Sequence, residues 1–222
     1  CLRPFSRIAF ILSISSGLSL RLLSPATLAL AEQCLSEAIG CAHKSGSQTQ
    51  RHLTCASIYL QWGSMLKAAG KLDIAREKLQ QSLQSISQAV MMSRSYIAGL
   101  AEIEAALAAI EIEVKDYRRA EALCEEAYLI YSRQGAQAGP DSRAQKAALL
   151  RTYGDLYAAM GQYIEASRKY SEALAEYQAI RRAGRQAPAL DMAMALNNMG
   201  SMYEGMGNYA DAVANYKIAA RL

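Results

Sequence analysis

The stretch GDLYAAMGQYIEASRKYSEA, residues 154–173, places a glycine (Gly154), an aromatic three later (Tyr157), a Gly-x-Tyr turn (Gly161, Tyr163), an alanine (Ala166), an aromatic four on (Tyr170) and a last alanine (Ala173) in fixed order. The same order returns in GSMYEGMGNYADAVANYKIA, residues 200–219. Outward from Ala166, the anchor alanine recurs as Ala31, Ala75, Ala120 and Ala212, at intervals of 44, 45, 46 and 46. Twelve residues before each anchor stands a small residue (Ser19, Gly63, Ala108, Gly154, Gly200), and seven after it another (Ala38, Ser82, Ala127, Ala173, Ala219). Large residues stand three before (Leu28, Leu72, Tyr117, Tyr163, Tyr209) and, in most copies, four after (Leu35, Leu79, Cys124, Tyr170, Tyr216). A fixed period of this length marks an array whose units bury their apolar faces by stacking on one another.

Each unit reads as two helices and a tight turn. In the fourth, apolar residues at helical spacing run from Ala147 to Met160, Gly161-Gln162 turns the chain, and Tyr163 to about Ile180 forms the second helix. Gly70, Gly161 and Gly207 sit where a left-handed backbone is needed. Asp116 and Asn208 then cap second helices, and Ser24-Pro25 has the form of a cap and first turn. The anchor alanines let paired helices approach closely; a bulky residue in place of Ala166 is expected to cost roughly 1–3 kcal/mol by overpacking. Polar breaks separate the units at 43–50, 93–96, 133–141 and 181–188. The expected fold is all-α, about five helix pairs of 44–46 residues wound as a right-handed superhelix.

Of the formal charge of +4, the acid-free stretch before Glu32 supplies +3 through Arg3, Arg7 and Arg21. The array itself is nearly neutral and lacks the basic footprint of a nucleic-acid binder. The first thirty residues admit three readings: an organellar presequence, a signal peptide with its apolar stretch at Ile8 to Leu20 and cleavage near Ala29-Leu30-Ala31, or a first repeat in phase with the rest. Residues 1–14 are set apart as an N-terminal segment and 15–222 as the array. The uncharged run is short for a membrane span. A first residue other than Met and a last residue inside a second helix are read as the marks of a fragment.

The small-large pattern resembles the tetratricopeptide repeat (TPR). Its common period is shorter by about eleven residues, and the lengthened helices look like those of kinesin light chain; Leu196-Asn197-Asn198-Met199-Gly200 is similar to a helix start of that family. The third repeat departs, with Glu111 in an aromatic position and Lys115 for the turn glycine. The resemblance implies a groove lined by first helices that holds a peptide, with asparagines bonding its backbone. By phase, the groove positions are Gln61, Ser64 and Lys67, then Arg151, Thr152 and Asp155, then Asn197, Asn198 and Ser201. Amides both donate and accept, and Arg151 suits a carboxylate. The lysine-and-asparagine clamp of some family members is not reproduced.

Other clusters read as structure. Cys34, Cys41, His43, His52 and Cys55 match no zinc spacing, and Cys34 and Cys41 fall on one helical face as core residues do. Five cysteines in no dense framework point to reduced thiols in an intracellular, cytoplasmic setting, with organellar import open through the N-terminus. Gly200 to Gly207 follows a helix and holds the repeat signature, so a phosphate cradle is not expected. The carboxylates Glu102, Glu104, Glu111 and Glu113 are expected on a solvated face or an acidic groove face. No nucleophile stands with a base, and neither metal nor cofactor is expected. The reading is a non-enzymatic scaffold or adaptor for a protein or peptide segment, within a multi-protein complex. The alternatives are a structural subunit using its convex face and ends, and a ligand-responsive regulator.

Overall fold

The computed structural model describes residues 25–44, 46–134 and 140–222. Nine α-helices run through these residues: α1 Pro25–Ala42, α2 Gln48–Ala68, α3 Leu72–Met92, α4 Ile97–Glu113, α5 Tyr117–Gln134, α6 Pro140–Ala159, α7 Tyr163–Arg182, α8 Ala189–Gly205 and α9 Tyr209–Ala219. A 3-10 turn, Arg94–Tyr96, leads into α4. The fold is all-α, as the periodicity requires. Ser19, Ser24 and the N-terminal readings that precede them lie outside the described residues. α6 begins seven residues earlier than the apolar spacing suggests, at Pro140, whose fixed φ and missing N–H suit a first helical position.

The described residues fall into two compact units, one ending at Ile110 and the other beginning at Glu111. In the first, α2 packs antiparallel on α3 and α1 packs on α2, with Leu28, Ala31, Cys34, Leu35, Cys55, Ile58 and Met65 in one core. In the second, α6 pairs with α7 and α8 with α9, while α5 packs on α6 and α7 on α8. All five anchor alanines are buried.

The pattern has a steric cause. A β-carbon at Gly63 would stand 2.6 Å from the Leu79 side chain, one at Gly154 2.5 Å from the Tyr170 ring, and one at Gly200 2.6 Å from the Tyr216 ring. The small residue of the first helix is therefore the seat of the large residue that the second helix carries four after its anchor. In the third repeat the two positions hold Ala108 and Cys124, a larger seat and a smaller occupant. Where the second repeat has Ser82 for alanine, the buried hydroxyl donates to the Ala56 carbonyl at 2.7 Å, so the polar substitution is satisfied within the helix pair.

The turns share one construction. Gly70, Gly161 and Gly207 adopt φ of +76°, +75° and +76°, and the next amide reaches back five residues: Lys71 to Leu66, Gln162 to Tyr157 and Asn208 to Tyr203, at 2.8–2.9 Å. These bonds close the helix end as a left-handed cap. Lys115 takes the same conformation at φ +66° without being glycine, and the Asp116 amide reaches Glu111 at 2.8 Å. Asp116 and Asn208 cap as expected, accepting from the amides of Arg119 and Asp211.

One expectation fails. Glu104 and Glu111 are buried rather than solvated, while Glu102 and Glu113 stay exposed. Seven residues apart, Glu104 and Glu111 share the face of α4 that also carries the buried Ala101, Leu107 and Ala108. Glu111 pairs with Arg119 at 3.3 Å.

A second regularity joins the positions thirteen before and three after the anchor. Lys78 holds its ammonium 4.7 Å from the Trp62 ring centre, and Lys169 holds its own 5.2 Å from Tyr153 and 5.1 Å from Tyr128. Cation–π contacts of this kind contribute roughly 0.5–2 kcal/mol each. The third and fifth repeats carry Leu107 with Leu123 and Met199 with Asn215 at the same places. Aromatic with lysine thus alternates with aliphatic and an uncharged partner.

Candidate partner-binding face

Asp155 organises the first-helix face of the second unit. One of its oxygens accepts from the Tyr170 hydroxyl and from the Asn198 side-chain amide, both at 2.7 Å; the other meets the Arg151 guanidinium at 3.3 Å. Arg151 and Asp155 lie one turn apart on α6, Asn198 comes from α8, and Tyr170 reaches them from α7. The sequence positions Arg151, Asp155 and Asn198 are therefore brought together across two repeats. Because three donors converge on one half-buried carboxylate, the cluster holds its geometry without a ligand.

The remaining positions are placed as follows. Asn197 and Ser201 are exposed on α8, one turn apart, and Asn198 is half-buried beside them. Thr152 is buried, with its hydroxyl on the Ala148 carbonyl of its own helix at 3.2 Å. Gln61, Ser64 and Lys67 lie on α2 in the first unit; Ser64 is exposed and donates back to Leu60 at 2.9 Å, while Gln61 and Lys67 are half-buried.

Two tyrosines of α7 belong to the same region and escape sequence reasoning. Tyr170 and Tyr177, two turns apart, are both almost fully buried. Burial raises the Tyr170 hydroxyl above its ordinary range, and the charge and hydrogen bond of Asp155 push it further. Burial also raises Tyr177, and Asp191 adds to the effect while Arg151 opposes it. Tyr177 packs with Ala147, Ile180, Ala187 and Met192, and its hydroxyl has no hydrogen-bond partner among the described residues. The sequence signal for Tyr170 is its register, four after the anchor, opposite an acid eleven before it.

Among the described residues, no group of three or more His, Cys, Asp or Glu side chains is arranged to hold a metal ion. Cys34, Cys55 and Cys124 are buried free thiols and Cys41 a half-buried one; burial pushes Cys124 up to about 12, with Asp155, Glu121 and Glu125 adding to it. No helix among the described residues is long and apolar enough to cross a membrane.

No protein-family model matches the chain, and no curated protein matches it. Solved structures do. BtubC (BKLC) from P. vanneervenii superposes with a TM-score of 0.65 at 22% identity, over 87% of this chain and 72% of that one. A kinesin light chain-type protein with nearly identical TPR-like repeats from Podosopora anserina superposes with a TM-score of 0.60 at 16% identity, over 99% and 94%. A single-substitution variant of the latter gives 0.62 at 16% identity, over 99% and 93%. With the 44–46 residue period, the buried anchors and the shared turn, this chain has the TPR-like repeat fold of the long, kinesin light chain-like kind.

Proposed function

We propose that the chain is a non-enzymatic interaction scaffold that holds a segment of a protein partner against the polar face of its first helices, the groove that the resemblance implies. The observation that carries this reading is the Asp155 cluster. Its internal bonds fix Arg151 and Asn198 in place beforehand, and a preorganised surface loses little entropy when a partner settles on it. Asn197 and Ser201, exposed beside the cluster, supply donors and acceptors that suit a peptide backbone. Gln61, Ser64 and Lys67 offer a second set of polar groups on α2 of the first unit. Free thiols favour an intracellular home.

The test is affinity capture from the native source with the unmodified chain and with Arg151→Ala, Asn197→Ala and Ser201→Ala combined, after circular dichroism has shown equal helicity. Loss of one prominent protein from the triple variant, followed by direct titration of that protein, supports the face. Retention of every partner sinks it and moves the function to other surfaces.

A further inference from the structure

The helix ends carry a feature that peptide binding by first helices does not use. Met91, Ile164 and Leu190 are the most exposed large hydrophobic side chains among the described residues, at 81%, 80% and 74%. Two of the three stand beside arginine at helix ends that border an inter-repeat connection: Met91 in the last turn of α3 and Leu190 in the first turn of α8. Leu190 opens α8, just after Arg181, Arg182 and Arg185; all three arginines are exposed and none makes an ion pair among the described residues. From Tyr177 to Leu190 the chain has no acid and three arginines; of the two acids that bound this run, Glu176 is paired with Arg143 and Lys146, and Asp191 stands in the first turn of α8. In the first unit, Met91 and the exposed Met92 precede the exposed Arg94, inside an acid-free run from Lys78 to Ala101. Ile164, by contrast, lies at an intra-repeat turn, next to Glu165.

The helix dipole explains cations in the last turn of α7, where Arg181 and Arg182 sit. It explains neither Arg185, beyond the helix end, nor an apolar side chain left in water five residues later. We propose that the inter-repeat segment 181–190, the end of α7, its connection and the start of α8, is a docking surface for an anionic lipid bilayer, with the arginines on lipid phosphates and Leu190 entering the headgroup boundary. Guanidinium groups pair bidentately with phosphate, and an apolar side chain gains by leaving water at the same interface.

The chemistry selects this occupant over the others. Single-stranded nucleic acid would call for exposed aromatic rings on which bases stack, and a duplex backbone would leave Leu190 in water; the segment presents an aliphatic side chain beside its arginines instead. An acidic protein segment would need a recess to receive Leu190, whereas a side chain 74% exposed stands clear of its surroundings, as insertion into a fluid boundary requires. The contact is peripheral: it lies on the surface and spans nothing. It is separate from Asn197 and Ser201, so loss of one binding activity leaves the other measurable.

Co-sedimentation of the whole chain with vesicles of phosphatidylcholine and phosphatidylserine, against pure phosphatidylcholine, tests the proposal. The chain is expected to pellet with the anionic vesicles alone and to be released by high salt. Each Arg→Gln change at 181, 182 and 185 is expected to weaken binding by about fivefold. Leu190→Ser, which alters no charge, is expected to weaken it several-fold, while Ile164→Ser leaves it unchanged. No pelleting with anionic vesicles overturns the proposal. So does vesicle binding that ignores Leu190→Ser and is displaced stoichiometrically by polyglutamate, since that result assigns residues 181–190 to acidic protein segments.

Discussion

At the scale of single residues, packing against a missing β-carbon and bonding to one carboxylate set the sharpest expectations. Gly154→Ala places its new carbon 2.5 Å from the Tyr170 ring, which cannot retreat without breaking its bond to Asp155. The variant is expected to lose roughly 1–3 kcal/mol by overpacking, read from urea unfolding. Asp155→Ala strands the Tyr170 hydroxyl and the Asn198 amide; a similar loss of about 1–3 kcal/mol is expected, with a new environment for Tyr170 visible in near-ultraviolet circular dichroism. Tyr177→Phe has the opposite sign, because its buried hydroxyl meets no partner among the described residues. Its midpoint is expected to rise, by a stabilisation of about 1 kcal/mol, and a fall would show that the hydroxyl is satisfied in solution.

At the scale of elements, the turns separate what the sequence discloses from what it conceals. Gly70, Gly161 and Gly207 announce their left-handed conformation by residue type, and Asp116 and Asn208 announce caps. Lys115 announces nothing: its conformation follows from the shared geometry of the repeat, which overrides a local preference of about 1–2 kcal/mol. Lys115→Gly is accordingly expected to stabilise the chain by up to about 1 kcal/mol, checked by thermal melting, the gain being reduced by the entropy of a freer unfolded chain. The buried Glu104 and Glu111 are concealed for a related reason. Spacing shows that two residues share a helix face, but only packing decides whether that face meets water. The candidate site is half legible in the same way: phase gives Arg151, Asp155 and Asn198 as neighbours in kind, while the tyrosine that joins them comes from the other helix of the pair and looks like core.

At the scale of the whole molecule, stability is coupled to protons held on buried acids that water would free. Cys124 is pushed from its ordinary 9.0 up to about 12, and Tyr153, Tyr170 and Tyr177 are raised by burial as well. The folded chain keeps these protons when the unfolded chain has begun to release them. Their contribution is therefore complete below about pH 9 and is lost as pH climbs toward 12. An alkaline titration is expected to show helix loss and tyrosinate absorbance rising together, whereas independent ionisation of each tyrosine at its ordinary pH before any unfolding would contradict the burial described.

The alternation of Trp62 with Lys78 and Tyr153 with Lys169 against the uncharged pairs of the third and fifth repeats bears on how such an array can be lengthened. A copy number that grows or shrinks by one repeat sets two like units side by side and breaks the order. A change by two preserves it. A synthetic concatemer that keeps the order is therefore best cut as a doublet of about ninety residues, twice the 44–46 residue spacing.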